Sequence, residues 1–461
     1  MKQVIILHGW SDTSKSFEDL AKFLSTHEYQ ALPIWLGDYI SLDDDIAVKD
    51  VAKRMQEVIN EKIKSKELNS TFDMIVHSTG GLVVREWLSS YYRTNENICP
   101  LKKLIMLAPA NFGSKLASMG QTMLGRLIKG WNNWFHTGVR MLNDLELSSP
   151  YQWSLVERDL FLSSDQNHSI YGDNRVWPYV IIGTKPYGST LRSILDEDGA
   201  DGTVRVAAAN MNVLGVELNF SKNENTPSIN IWNNAIAEWE VPFAVLPDYD
   251  HSTIVNPAIV NDKVGNMVIE ALMCDNWQQY RTLAVDWKEL SEKTALLSSD
   301  KDTKNRNAYH QFMQVNVHVV DDHGEDVNDY FLEFSGPTEL KSDEPMEYFH
   351  KDVLHHVHTN KQNPSYRCLY VDRTDLYDNF YKKIPEGYDK GLWMSISATP
   401  VGRNIFYFKD YKIGAAGHVL AHHYDSSNLD FKFRRNTTHF VKIIIPRVPS
   451  DDVFQLRKAQ K

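Results

Sequence analysis

Two changes of period predict an α/β unit with a mostly parallel central sheet, followed by an all-β, sandwich-like unit. From residue 3 to about 275, short β-branched runs alternate with longer stretches of helical periodicity, the pattern of parallel strands joined by crossover helices. Beyond residue 309 the apolar period falls to two, as in Met313-Gln-Val-Asn-Val-His-Val319 and Phe440-Val-Lys-Ile-Ile-Ile445. The length of 461 residues agrees, since it exceeds the size at which one core usually stops growing. The first domain is placed at 1–295, a linker at 296–308 and the all-β domain at 309–461.

In the first domain, residues 4–7 read as a strand and 14–24 as a helix. A second strand covers 31–35, and a long amphipathic helix 46–63. Residues 72–76 form a buried strand that runs into a helix over 79–92; further strands fall at 104–107, 176–182 and 243–246. The stretch 111–175 is longer than a compact crossover needs and is read as a helical cap insertion. The linker carries the polar run Ser298-Ser-Asp-Lys-Asp-Thr-Lys-Asn-Arg-Asn307. Asp322-His-Gly324 and Pro400-Val-Gly402 are turn signals between strands of the second domain.

Composition narrows the functions open to the chain. A formal net charge of -11 argues against wholesale nucleic-acid binding. No run approaches the eighteen or so consecutive apolar residues of a membrane span, so a soluble chain is expected. The first residues lead directly into a strand and leave no room for a secretory signal, so synthesis in the cytoplasm is expected; secretion by a signal-independent route would look the same. Cys99, Cys274 and Cys368 lack metal-type spacing. His355, His356 and His358 put two imidazoles on one face of an extended segment, but with no carboxylate or cysteine at recognisable spacing no metal site is assigned.

The chemistry is carried by the turn after the buried strand. There the string His77-Ser78-Thr79-Gly80-Gly81 precedes an apolar helix, Leu82-Val83-Val84. A serine on a sharp strand-to-helix turn exposes its hydroxyl at the top of the sheet, and the helix N-terminus favours negative charge developing beside it. The same string also suits a plain helix N-cap. It resembles the nucleophile elbow of the lipase and esterase branch of the α/β-hydrolases, with one departure: Val76 stands where that branch usually has glycine.

The resemblance covers roughly residues 3–260 and implies the remaining parts. Leu7-His8-Gly9-Trp10 is similar to the lipase oxyanion loop, which implies backbone N–H groups of Trp10 and Thr79 as oxyanion donors. Leu107-Ala-Pro-Ala-Asn-Phe-Gly113-Ser114 is similar to a segment after the next lipase strand. The family order of nucleophile, acid and histidine implies Asp201, in Asp198-Gly-Ala-Asp-Gly-Thr-Val204, as the acid. It implies His251, after Pro247-Asp-Tyr-Asp250, as the base; no other histidine occurs between His168 and His310. An acidic surface turn and a solvated loop histidine are the plainer readings of those two positions.

In the insertion, Leu124, Leu127, Ile128, Trp131, Trp134 and Phe135, with Met123, share one helix face. That face suits an acyl-chain wall or a lid, with Arg126 and Lys129 adding the cations of a lipid interface, and it equally suits permanent core packing. The expected activity is hydrolysis of carboxylic esters, of lipids or phospholipids, through a Ser78–His251–Asp201 triad and an acyl-enzyme, with no cofactor. The alternatives are a small-ester carboxylesterase, an acyltransferase, or a catalytically silent scaffold with a binding role. Expected partners are the lipid or small-ester substrate and a membrane surface contacted peripherally; the sequence names no protein partner.

Overall fold

The computed structural model describes residues 3–459 apart from 11, 27–33, 95–97, 120–137, 162–168, 187–195, 235, 237–238, 257–262, 338–341, 400, 409–416 and 424–432. The chain divides into two compact units. The first comprises Met1–Val213, Asn233–Phe312 and Asn436–Thr438; the second comprises Leu214–Trp232, Met313–Arg435 and His439–Lys461.

The first unit is built on β1 (Val4–Leu7), α1 (Glu18–Thr26), β2 (Ile34–Gly37), α2 (Val48–Lys64), β3 (Phe72–His77), α3 (Gly80–Tyr91), β4 (Leu101–Leu107) and β5 (Trp177–Gly183). The chain then forms β6 (Leu214–Asn219) and β7 (Ser228–Ile231), which belong to the second unit, and returns as β8 (Phe243–Leu246). Six of these strands pair in the order β2-β1-β3-β4-β5-β8, every neighbour parallel.

All six residues of β3 are buried, as a strand covered on both faces requires. In α2, Val48, Val51, Ala52 and Ile59 form the buried stripe, while Lys62 and Lys64 occupy the last turn, where cations complement the helix dipole. α3 is buried from Gly80 to Ser89. Strand order reverses at β1 and β3, so the crevice beyond their carboxyl ends is the expected ligand position of an open parallel sheet.

Every expected strand of the first unit is present, with β4 starting at Leu101 rather than 104. The expected strand over 31–35 appears as β2, Ile34–Gly37, and residues 31–33 lie outside the described residues. Within the proposed cap, the described residues form helices at Lys115–Ser118, Val139–Leu145 and Pro150–Asp159. Leu124, Leu127, Ile128, Trp131, Trp134 and Phe135 all lie outside the described residues. No helix among the described residues is long and apolar enough to cross a membrane.

The second unit holds β9 (Phe312–Asp321, its first residue falling in the first unit), β10 (Tyr330–Ser335), β11 (Leu354–Thr359), β12 (Tyr366–Asp372), β13 (Gly391–Ala398), β14 (Ile405–Tyr407), β15 (Gly417–His423), β16 (Thr437–Ile445, its first two residues falling in the first unit) and β17 (Arg447–Pro449). They form a six-stranded sheet, β11-β12-β9-β16-β6-β7, a three-stranded sheet, β10-β13-β15, and a β14-β17 ribbon. Helical turns at Glu344–Val353 and Arg373–Lys383 make this unit less purely β than the alternation predicts. The single division of the chain near residue 300 also differs from the structure, which groups Leu214–Trp232 with the C-terminal strands. The reason is backbone pairing: β6 runs parallel to β16, from Leu214 opposite His439 to Asn219 opposite Ile444.

Candidate active site

Ser78 opens the turn after β3 in the left-handed region, with φ +53°, a conformation that strains a non-glycine residue and is held only where its surroundings over-determine it. Those surroundings are backbone. Ser78 N–H donates to the Leu107 carbonyl at 3.1 Å, and the Ser78 carbonyl accepts from Gly81 N–H at 3.1 Å and Ala110 N–H at 3.2 Å. The Leu107–Ser114 segment is therefore a brace for the elbow. Arg85, fully buried on α3, fixes that brace by donating to the Asn111 carbonyl at 2.7 Å while paired with Asp159 at 2.8 Å.

Two glycines let the loop after β1 close on the elbow. A Cβ on Gly9 would stand 2.6 Å from the Ser78 Cβ, and one on Gly80 would stand 2.9 Å from the His8 carbonyl oxygen. Val76, at the position usually taken by glycine, is fully buried, and a Cβ on Gly80 would meet its Cβ at 3.4 Å, an ordinary contact. The His8 ring is fixed in turn. Tyr39 N–H donates to its Nε2 at 3.2 Å, so the proton sits on Nδ1, which donates to the Gly9 carbonyl at 2.7 Å; the Tyr39 ring stacks on it at 4.4 Å. Thr79 is buried at the N-terminus of α3, and Trp10 directly follows Gly9.

Asp201 is fully buried in the loop Gly199–Arg205. One carboxylate oxygen accepts from Thr203 N–H at 3.0 Å and Val204 N–H at 2.7 Å; the other lies 2.8 Å from Nδ1 of His251. The Asp201 carbonyl also accepts from His251 N–H at 2.9 Å. Nε2 of His251 lies 3.0 Å from the Ser78 hydroxyl oxygen, so Nδ1 carries the imidazole proton and Nε2 is free to accept the hydroxyl's. Ser114 binds the acid loop to the brace, its hydroxyl donating to the Thr203 carbonyl at 2.7 Å. The acidic neighbour Glu197 is engaged elsewhere, paired with Arg205 at 2.7 Å.

The histidine loop is seated on β5. Thr184 N–H donates to the Leu246 carbonyl at 3.0 Å and Lys185 N–H to the Tyr249 carbonyl at 3.1 Å. Gly183 permits this approach, since a Cβ there would sit 1.8 Å from the Tyr249 carbonyl oxygen.

Sequence reasoning passed over His77, although it stands inside the elbow string. Its side chain is buried, and Nε2–H donates to the His251 carbonyl at 3.0 Å. Burial, and then the charge the nearby His251 ring can carry, hold the His77 imidazole well below the ordinary histidine range, and the bond to the carbonyl opposes this. His77 therefore stays a single-tautomer hydrogen-bond donor that fixes the base loop. Its reach of 174 positions along the chain leaves no trace in a local motif. The structure thus brings together Ser78, Asp201 and His251; Thr79 follows Ser78 on the chain, and Trp10 follows Gly9, which packs on Ser78.

The palmitoyl protein thioesterase family model matches residues 3–149. No curated protein sequence matches the chain. Among solved structures, phospholipase PlaB from Legionella pneumophila in complex with thio-NAD aligns with a TM-score of 0.82 and 25% identity, covering 100% of this chain and 97% of that one. A second structure of Legionella pneumophila PlaB aligns with a TM-score of 0.80 and 25% identity, covering 99% and 96%. With the six-stranded parallel sheet, these likenesses make the chain a carboxylic ester hydrolase with the α/β-hydrolase fold, similar to lipases and esterases.

Proposed function

We propose that the chain hydrolyses lipid esters, phospholipids among them, through an acyl-enzyme on Ser78. The observation that carries the reading is the unbroken hydrogen-bond chain from the Ser78 hydroxyl through His251 to Asp201, with spacings of 3.0 and 2.8 Å. His251 Nε2 takes the hydroxyl proton as Ser78 Oγ bonds to the ester carbonyl carbon; Asp201 fixes the tautomer and faces the imidazolium that forms. The tetrahedral oxyanion is held by the backbone N–H groups of Trp10 and Thr79, donors typically worth about 10²- to 10³-fold each in rate. The imidazolium returns its proton to the departing alcohol. Water, activated by the same His251, then attacks the acyl-enzyme and releases the carboxylic acid.

Phospholipid is preferred among lipid esters because a phospholipase resembles the chain over its whole length. In this reading the first unit carries the chemistry, and the second unit serves peripheral contact with a membrane. A small-ester carboxylesterase uses the same steps and differs in chain-length profile.

The test is hydrolysis of a p-nitrophenyl ester series and of phospholipid vesicles by wild type and Ser78→Ala. Loss of about 10⁴- to 10⁶-fold in Ser78→Ala is expected, as for a triad nucleophile, with activity rising toward long chains and vesicles. Equal activity in the two proteins would overturn the assignment. A profile confined to short chains would replace the lipid reading by the carboxylesterase.

A further inference from the structure

Between the sheet and α2 lies an apolar cavity of about 540 Å³. Ile5 and Trp35 of β1 and β2 form one wall, and Met55, Val58 and Ile59 of α2 the other. Ser78, Asp201 and His251 do not line it. The cavity opens to solvent on one side, and its apolar volume is far larger than the gap left by an imperfect fit of side chains. The lining is largely hydrocarbon, so water entering it finds few partners. The mouth shows apolar surface as well: Ile40 is 65% and Leu36 37% exposed.

We propose that this cavity binds one long-chain fatty acid, at a site separate from the one where the ester is cleaved. On the scale by which an apolar cavity of ~150 Å³ takes one benzene, 540 Å³ corresponds to about twenty carbons. The lining carries charges of both signs: Asp38 and Asp50 accept from the N–H groups of Ser14 and Ala47, while the cations Arg54 and Lys62 on α2 already hold carboxylates. Arg54 pairs with Glu57 at 2.8 Å, and Lys62, which pairs with Glu67, stands 5.6 Å from the Trp35 ring centre. Exposed pairs of this kind are weak and readily exchanged. A ligand carboxylate can therefore replace a glutamate like for like while its chain fills the cavity. Tyr39 is part of the wall, and its ring stacks on His8, so the bound acid lies one ring away from the loop that packs on Ser78.

The choice of a fatty acid rests on the ester-hydrolase reading, because it is the product of that reaction; binding itself is measurable without turnover. The full chain carrying Ser78→Ala is titrated with cis-parinaric acid below its micellar concentration, and the signal is competed with palmitate. One saturable, competable site is expected, and the same site in wild type after Ser78 is blocked with a fluorophosphonate. Val58→Trp and Met55→Trp, each placing an indole in the cavity, are expected to weaken binding at least tenfold while thermal melts show a folded chain; either variant suffices if the other does not fold. Arg54→Gln with Lys62→Gln is expected to weaken the acid by severalfold and leave the corresponding fatty alcohol unchanged. Absence of saturable binding, loss of binding on blocking Ser78, or full binding in a folded filled variant would each overturn the proposal. Failure of the Ser78 reading would appear instead as absent hydrolysis and labelling, with fatty-acid binding intact.

Discussion

Two glycines end strands of the same parallel sheet, and their surroundings differ completely. At Gly183, the last residue of β5, an added Cβ would fall 1.8 Å from a carbonyl oxygen and 2.6 Å from a carbonyl carbon of Tyr249. At Gly37, the last residue of β2, the closest atom would be the Leu7 Cδ1 at 3.1 Å, the far end of a side chain that can turn away. On the β3–β5–β8 side, backbone rests on backbone and the loops bearing Ser78, Asp201 and His251 have one way to sit. On the β1–β2 side the sheet meets α2 through movable side chains around a cavity. The contrast teaches where positional exactness is needed: the reacting groups are held by peptide groups, which cannot be repacked, while the flank tolerates slack.

The largest effect that can break this comparison comes from the glycines themselves. Gly183→Ala is expected to lower kcat on a p-nitrophenyl ester by about 10²-fold or more, since ~1 Å displacements of catalytic groups cost that much. Gly37→Ala is expected to stay within about twofold of wild type, as a side-chain shift on the slack flank leaves those groups in place. Comparable kcat in the two variants, both folded by circular dichroism, would remove the distinction.

A smaller effect tests whether His77 belongs to the tight side by positioning. His77→Phe keeps the ring but loses the donor to the His251 carbonyl. An untethered base loop is expected to lower kcat about tenfold with KM little changed, on the scale of a net hydrogen bond to stability of roughly 1 kcal/mol. His77→Gln, which can still donate, is expected to recover part of the loss. Equal defects in the two variants would point to packing alone.

The smallest effect concerns stability beside α2. Asp144, on the helix Val139–Leu145, accepts from Val48 N–H at 3.1 Å, and burial, helped by Glu86 and Asp50, pushes its carboxyl up to about 6. The Val48 bond and Lys49 act in the opposite direction. Because the folded value is raised above the ordinary 3.8, the folded chain binds the proton more tightly, and this group's contribution declines as pH rises from about 4 through about 6. Asp144→Asn keeps an acceptor without the charge. It is expected to stabilise the chain by about 3 kcal/mol at pH 8, since each tenfold gain in proton affinity on folding corresponds to ~1.4 kcal/mol, and to make little difference at pH 4. Urea unfolding at the two pH values checks this, and a pH-independent difference would contradict it.

The tight side was also the more legible in sequence. β1 and β5 are apolar runs and β3 and β4 hold them at Met74–Val76 and Leu104–Leu107, and an elbow, an acid loop and a histidine loop following successive strands are ordered features that a linear reading detects. Ser78, Asp201 and His251 meet because of that order. Val76 was a departure in sequence only: it is fully buried, and Ser78 beyond it keeps the left-handed conformation of the elbow. His77, Gly183 and the brace at Ala110 were hidden for a common reason: each acts through a backbone group far away in sequence, and backbone groups carry no residue signature.

The second unit was harder to delimit for a related reason. Alternation marked β9 and β16 but could not show that β6, nearly a hundred residues before β9, pairs with β16. Parallel pairing between distant strands has no turn to announce it. The turns Glu344–Val353 and Arg373–Lys383 were passed over because each is too short for a clear helical period.

The assignment of Ser78 as a nucleophile activated by His251 is tested most directly by mapping a fluorophosphonate adduct. Intact mass and peptide mapping are expected to give one phosphonyl group per wild-type chain, on Ser78, with labelling slowed by orders of magnitude in His251→Ala and absent in Ser78→Ala. An adduct on another residue, or labelling of wild type and His251→Ala at the same rate, would contradict it.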